Sequence, residues 1–368
     1  MSVEKPQLFK DYYNRNSVGS MATAFKEAYK PFDTRRFLKG VFTDEFRQSE
    51  LKQRMRLIAT ALKSELPEEY SRAVAILIRV APYLGSFENW VLTTYIELYG
   101  LERFDDSIRA MHALTQHGTA EFTIRPFVNR DPEAMLSVLK RWVTDENEHV
   151  RRLVAEGTRP RGVWCEHLPV FRKNPAPVVA LLEQLKADPS LYVRKAVANN
   201  LNDISRDNPK VALRIAREWM NELHPHTNWI VKRACRSLIK SGQPEVFPIF
   251  GFTANPKIEI AQLRFNKRRI AIGDCALISF ELVSHSSVKQ KLVIDYRVTY
   301  LTKLGKSTRK VFKYVEKSLA PSETIPLLIR HAFRNHSTRT HYAGLHQLEI
   351  LVNGIQFQSV MLTLTEKV

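Results

Sequence analysis

Residues 134–156 read AMLSVLKRWVTDENEHVRRLVAE, and residues 177–199 read PVVALLEQLKADPSLYVRKAVAN; the two lie over one another without a gap at an offset of 43 residues. Each has apolar residues at helical spacing, then an acidic or polar turn, then a second helical pattern that begins V-R. A third, weaker copy follows 38 residues later, matching Leu185 to Leu223, Val193 to Val231 and Ala198 to Arg236. A helix pair recurring at about this period has the length and pattern of a HEAT repeat, in which stacked pairs bury a continuous core that no single pair could bury.

Working outward, the same helical spacing runs through ELKQRMRLIATALKSEL (50–66), SRAVAILIRVAPYL (71–84) and WVLTTYIELYGL (90–101), with no strand alternation from about Phe9 to Phe252. Past Pro256 the pattern changes to alternation, in KIEIAQLRF, CALISFELVS, KLVIDYRVTYL, HQLEILVNG and QSVMLTLTEKV. The expectation is therefore a multidomain chain, α then β: a HEAT-like helical solenoid over 1–255 followed by an antiparallel immunoglobulin-like β-sandwich over 256–368.

Charge narrows the function. The chain carries 56 Lys and Arg against 38 Asp and Glu, a net of +18, which points to a polyanionic partner. Residues 257–368 hold 18 of the cations against 8 of the acids. Within them KLGKSTRKVFKYVEK (303–317), with Lys306, Arg309 and Lys310, reads as a hairpin or loop lying along a phosphate backbone, or as a charged edge that guards against sheet-to-sheet pairing. In the helical part each repeat places two cations at one position: Arg151 and Arg152, Arg194 and Lys195, Lys232 and Arg233. These pairs are candidate contacts to a polyanion along one face, with the alternative that the first member of each pair holds neighbouring repeats together.

The three cysteines Cys165, Cys235 and Cys275 are scattered and odd in number, against a disulfide framework or a four-cysteine metal site. There is no Gly-rich phosphate loop, HExxH or GxSxG, and His224 and His226 read as loop histidines. No metal and no cofactor are expected. The N-terminal MSVEKPQLFKDYYNRN has no apolar leader core and no apolar run reaches a membrane span, so a cytoplasmic, membrane-free monomer is expected.

Two carboxylates stand out. LVAEGTRPRGVW (153–164) sets Glu156 at a helix end, with Gly157 read as the residue that stops the helix and Pro160 forbidding continuation. A negative charge there opposes the helix dipole, while Arg152, the Trp164 indole and Arg159 and Arg161, read as contacts to a phosphate backbone, stand close by. HGTAEFTIRPFV (117–128) sets Glu121, beside Phe122, in what reads as the first turn of a helix that Pro126 must bend or shorten.

These strings, with LNDISRDNP (201–209), resemble the AlkC family of DNA alkylation repair glycosylases, relatives of AlkD built on HEAT-like repeats, some of which carry an immunoglobulin-like C-terminal domain. The resemblance spans nearly the whole chain. It implies that Glu121 and Glu156 are catalytic carboxylates, with Asp203 assisting and with Trp164, Arg152 and Phe122 about the lesion. It further implies a monofunctional glycosylase that excises cationic bases such as 3-methyladenine or 3-methylcytosine from duplex DNA. The other class open to the sequence is a non-catalytic HEAT adaptor for nucleic acid or an acidic protein, for which carboxylates inside a basic groove would be a handicap.

Overall fold

Apolar residues that recur every third or fourth position become helices in succession from Arg15 to Ser241 in the computed structural model, and strands follow from Ile258. The structure describes residues 8–336 and 339–366; residues 1–7, part of the stretch read for a leader, lie outside the described residues. Packing groups the chain into two compact units. One holds the residues up to Asn208 with Glu222–Ala234, and the other Pro209–Asn221 with the residues from Cys235 onward.

In the first unit the 43-residue offset is an offset of packing. Helix Pro132–Trp142 buries Met135, Val138, Leu139 and Trp142, and helix Ala176–Leu185 buries their counterparts Val178, Leu181, Leu182 and Leu185. Val150, Leu153 and Val154 on helix Glu148–Gly157 likewise correspond to Val193, Ala196 and Val197 on helix Leu191–Asp207, all buried. At roughly 1.5–3 kcal/mol per buried large aliphatic, these rows outweigh any local propensity. Helix starts follow capping chemistry: the side chains of Asn147 and Ser190 accept from the second helical N–H, His149 N and Tyr192 N.

In the first two basic pairs the leading arginine closes the turn of its own repeat, whereas Lys232, which leads the third, is exposed. Arg151 Nη1 donates to the carbonyls of Asp145 (2.8 Å) and Glu146 (2.9 Å). Arg194 Nη1 donates to those of Asp188 and Pro189, both at 2.7 Å. The third copy keeps its buried Val231 on helix Pro225–Ala234, but the match of Leu185 with Leu223 fails. Leu223 is exposed with φ 55°, because helix Pro209–Asn221 has already ended and Pro225 opens the next.

The second unit contains a three-stranded sheet, ordered β1 (Ile258–Phe265), β3 (Cys275–Ser284), β6 (Thr324–Ala332). Its five-stranded sheet is ordered β2 (Arg269–Ala271), β8 (Ile355–Thr365), β7 (Gly344–Val352), β4 (Gln290–Leu301), β5 (Ser307–Leu319). All pairings are antiparallel except the three-residue β2–β8 pair. Alternation fills the interior with Ile278, Phe280 and Leu282 from one sheet and Ile294, Val298 and Ile350 from the other. β2 and β6 were not among the expected strands; β5 falls on the stretch read as a hairpin, a loop or a charged edge, and it is the outer arm of a hairpin with β4 and an exposed edge strand.

The change from helix to strand falls near the boundary expected at Pro256, but packing draws the last helices into the strand unit. A Cβ on Gly354 would come within 2.7 Å of the Gly242 carbonyl, a close approach that only glycine permits. Asn353 Nδ2 also donates to the Thr253 carbonyl at 2.7 Å.

Candidate active site

Helix Glu148–Gly157 leaves four C-terminal carbonyls without helical donors, and each finds a partner. Thr158 Oγ1 donates to Val154 O (2.7 Å), Asn200 Nδ2 to Ala155 O (2.7 Å), Arg159 N to Glu156 O (3.3 Å) and Arg125 Nη1 to Gly157 O (3.2 Å). Gly157 is thus the last helical residue and not the left-handed stop expected from the sequence. What demands glycine is space: a Cβ would stand 2.7 Å from Ile124 Cγ2.

Glu121 differs from expectation in a related way. It lies in the turn before helix Ile124–Arg130, and Pro126 falls in that helix's first turn, where no backbone hydrogen bond is lost. Thr119 Oγ1 accepts from Glu121 N and donates to Glu121 Oε2, each at 3.2 Å, which sets the carboxylate's direction.

From Glu121 a ladder of alternating charge runs inward. Arg152 Nη2 stands 2.6 Å from Glu121 Oε2 and 3.8 Å from Glu156 Oε2. Arg159 Nη1 pairs with Glu156 Oε1, and Arg159 Nε with Asp203 Oδ2 at 2.8 Å. Side-chain exposure falls from 17% at Glu121 through 9% at Glu156 to 5% at Asp203. Burial opposes the charge on Arg152, but the fields of Glu121 and Glu156 outweigh it and its pKa rises. For Asp203 burial is the larger influence and lifts the carboxyl above its usual range, against the pull of Arg159. Three carboxylates and two guanidiniums leave the ladder one negative charge in excess.

The outer end of the ladder opens into a cleft of about 430 Å³, lined among others by Trp90, Glu121, Phe122, Arg152, Trp164 and Tyr192. Phe122 meets Trp90 edge-on at 5.9 Å, and Lys52 Nζ lies 4.7 Å above its ring. The Arg152 guanidinium covers Tyr192 at 5.1 Å. Trp164 is exposed and left-handed (φ 59°), a conformation that costs a bulky residue energy and is found where the surroundings impose it. Glu156 and Asp203 do not line the cleft, so the carboxylate on its wall is Glu121, and Glu156 stands one layer behind.

Several expected DNA contacts are placed otherwise. Arg159 is buried between two carboxylates, because the helix end aims it inward at Leu191–Asp207. Arg161 shares Asp207 with Arg172, at 2.6 and 3.0 Å, which drives the Asp207 carboxyl far below its usual range. Arg194 is taken up by its own turn. Lys195, Lys232 and Arg233 are exposed, and Arg233 covers the Trp229 ring at 5.7 Å. In the second unit Lys306, Arg309 and Lys310 are exposed on and beside β5, and Arg309 and Lys310 line a cleft of about 590 Å³ with Lys240, Arg297 and Arg339.

Thr119, Trp90, Arg125, His149 and Tyr192 were not anticipated. A signal for two of them existed: His149 and Tyr192 are counterparts at the 43-residue offset, lie on one face with rings 5.5 Å apart, and both line the cleft. Among the described residues no group of three or more His, Cys, Asp or Glu is arranged to hold a metal ion, and the cysteines are free thiols.

This site lies within residues 33–238, which match the family described as DNA alkylation repair enzyme. The chain belongs to that family. Residues 259–366 match the C-terminal Ig-like domain described for the uncharacterised protein YhaZ. The chain is 37% identical over 345 residues to YhaZ of Bacillus subtilis (strain 168), covering 94% of this chain and 96% of the relative. In structure it is similar to the alkylpurine DNA glycosylase AlkC of Pseudomonas fluorescens, solved bound to DNA containing an abasic site analog. The TM-score there is 0.87 with 35% identity, over 98% of this chain and 100% of that one. Among the described residues no helix is long and apolar enough to cross a membrane.

Proposed function

We propose that this chain is a monofunctional DNA glycosylase that hydrolyses the N-glycosidic bond of cationic alkylated bases in duplex DNA, with 3-methyladenine as the foremost substrate and 3-methylcytosine as a second. The observation that carries the proposal is a carboxylate, Glu121, on the wall of an aromatic cleft and backed by a ladder with one negative charge in excess. A base alkylated at N3 is already positive, so its bond to the sugar is weak and departure needs no strong acid. What the protein must supply is negative charge where the oxocarbenium-like sugar develops, and a place for water. Indole and phenyl faces attract the cationic base at roughly 0.5–2 kcal/mol each. Arg152 and Arg159 bridge the three carboxylates and hold them aligned in a partly dry site.

Sharing of labour follows: the helical part, residues 1–255, carries the chemistry, and the strands from 256 add DNA-binding surface through the Lys306, Arg309 and Lys310 region. The protein acts as a monomer in the cytoplasm, without metal or cofactor. The family membership and the likeness to a DNA-bound alkylpurine glycosylase support this reading. Chromatography of the bases released from methylated duplex DNA tests it. Free 3-methyladenine is expected in the presence of a chelator, with an intact strand bearing abasic sites. Loss of activity with chelator, or a covalent protein–DNA adduct trapped by borohydride, would overturn the hydrolytic, metal-free scheme.

A further inference from the structure

The loop that follows the Glu156 helix carries Arg159 and Trp164, and one buried side chain grips it. Arg125 is 1% exposed and makes three hydrogen bonds, all to main-chain carbonyls of this loop and the helix end. They run from Nη1 to Gly157 O (3.2 Å), from Nη2 to Arg159 O (2.8 Å) and from Nε to Glu166 O. Among the described residues it forms no ion pair, so a guanidinium has been desolvated to hold backbone alone. Such burial is costly unless the donors are satisfied, and here the fork spans the ten residues from Gly157 to Glu166. Gly162 is shaped to the same purpose: a Cβ there would stand 3.1 Å from Arg125 Nη1 and 2.3 Å from Cys165 Sγ. Other tethers act through single side chains: Arg161 meets Asp207, which it shares with Arg172, Asn129 Nδ2 donates to Glu166 Oε2 at 3.4 Å, and Phe9 meets the Trp164 ring edge-on at 5.9 Å.

We propose that Arg125 is a positioning residue of the glycosylase site: by fixing the 157–166 loop it sets where Trp164 meets the cleft and where Arg159 meets Glu156 and Asp203. The proposal rests on the glycosylase reading above for its effect on rate, but its structural half is independent. Lysine cannot reproduce a fork that reaches three carbonyls, whereas it can replace a charge. Displacing a site by about 1 Å can cost roughly 10²-fold in rate without touching the reacting atoms.

The test uses the full chain with Arg125→Lys and, separately, Gly162→Ala, which crowds the guanidinium without removing it. Two quantities are read: single-turnover release of 3-methyladenine, and amide hydrogen exchange resolved to peptides, with affinity for undamaged duplex DNA as a control. In both variants exchange should quicken across 158–168, where Arg159 N and Leu168 N are hydrogen-bonded, while helix Leu191–Asp207 keeps its protection. Release should fall by about 10²-fold, with affinity held within a few-fold. Wild-type exchange and rate in both variants, or exchange that quickens evenly over the helical unit, overturns the proposal. If Arg125→Lys does not fold, Gly162→Ala decides by the same readings. If the wild-type protein releases no base while loop exchange responds, the glycosylase reading fails and the role of Arg125 in the loop stands.

Discussion

The helix pair at residues 134–156 and its counterpart at 177–199 bury the same positions and close their turns with the same arginine, yet only the first bears the carboxylate ladder. Glu156 corresponds to Asn199, Arg152 to Lys195 and Gly157 to Asn200. The apolar core positions and the turn-closing arginine are retained, while the positions about the helix end diverge, to an ion-paired carboxylate and a glycine in one repeat and to two asparagines in the next. One difference lies inside the shared machinery. Arg151 reaches the following repeat through a forked pair with Asp188, Nε at 2.7 Å and Nη2 at 3.2 Å. Arg194, one repeat on, meets His226 Nδ1 at 3.3 Å, and its buried Nε has no partner among the described residues.

The largest effect should come from breaking the shared part. Asp188→Ala removes the carboxylate that holds Arg151 and that also accepts from Ser190 N at 2.8 Å. Leaving that guanidinium unpaired should cost about 3 kcal/mol, read as a lower urea midpoint of the helical unit. An unfolding free energy within about 0.5 kcal/mol of wild type, roughly the scatter of surface substitutions, would mean that the forked pair does not bind the repeats together.

Breaking what is unique to the first repeat should affect rate instead. Glu156→Gln keeps the shape and removes the charge behind the cleft, so single-turnover base release should fall at least about tenfold, roughly 1.4 kcal/mol of barrier, with DNA affinity equal or higher. Full activity would make Glu156 a structural partner of Arg159 only.

The second repeat can be brought closer to the first. His226→Asp supplies the missing carboxylate to Arg194, and at this partly exposed site should add about 1 kcal/mol, or roughly 2–4 °C in melting temperature. An unchanged melting temperature would show that the 3.3 Å contact already does what the pair could do. The smallest effect concerns the exposed cation. If Lys195 meets one phosphate, Lys195→Gln should lower the slope of log affinity against log salt by about 0.9, and an unchanged slope would remove it from the DNA face.

Much of the scaffold was legible because its signals are periodic. The core rows repeat at an offset visible in the sequence, and alternation revealed five strands. β5 gave no clear alternation, because an edge strand dense in lysine has few apolar residues with which to alternate, and only its charge marked it as a hairpin or edge. For the site, the residue types at 121, 152 and 156 were readable, but their order about the cleft was not. That Arg159 turns inward and Glu121 outward depends on Asp203, 44 residues beyond Arg159, and on a turn at Thr119. Tyr192 and His149 were within reach, since equivalent positions in adjacent repeats must share a face.

Asn200 occupies, in the second repeat, the position that Gly157 holds in the first, and its amide completes the Ala155 carbonyl. It also donates to Thr158 Oγ1 at 3.0 Å, so the residue that would have ended the second helix serves to finish the first. The repeats are therefore not interchangeable cassettes. Inserting a generic helix pair between them, or moving the first elsewhere in the array, would leave the Ala155 carbonyl of the Glu156 helix without its partner. A functional site of this design can be inherited or lost only as two neighbouring repeats together.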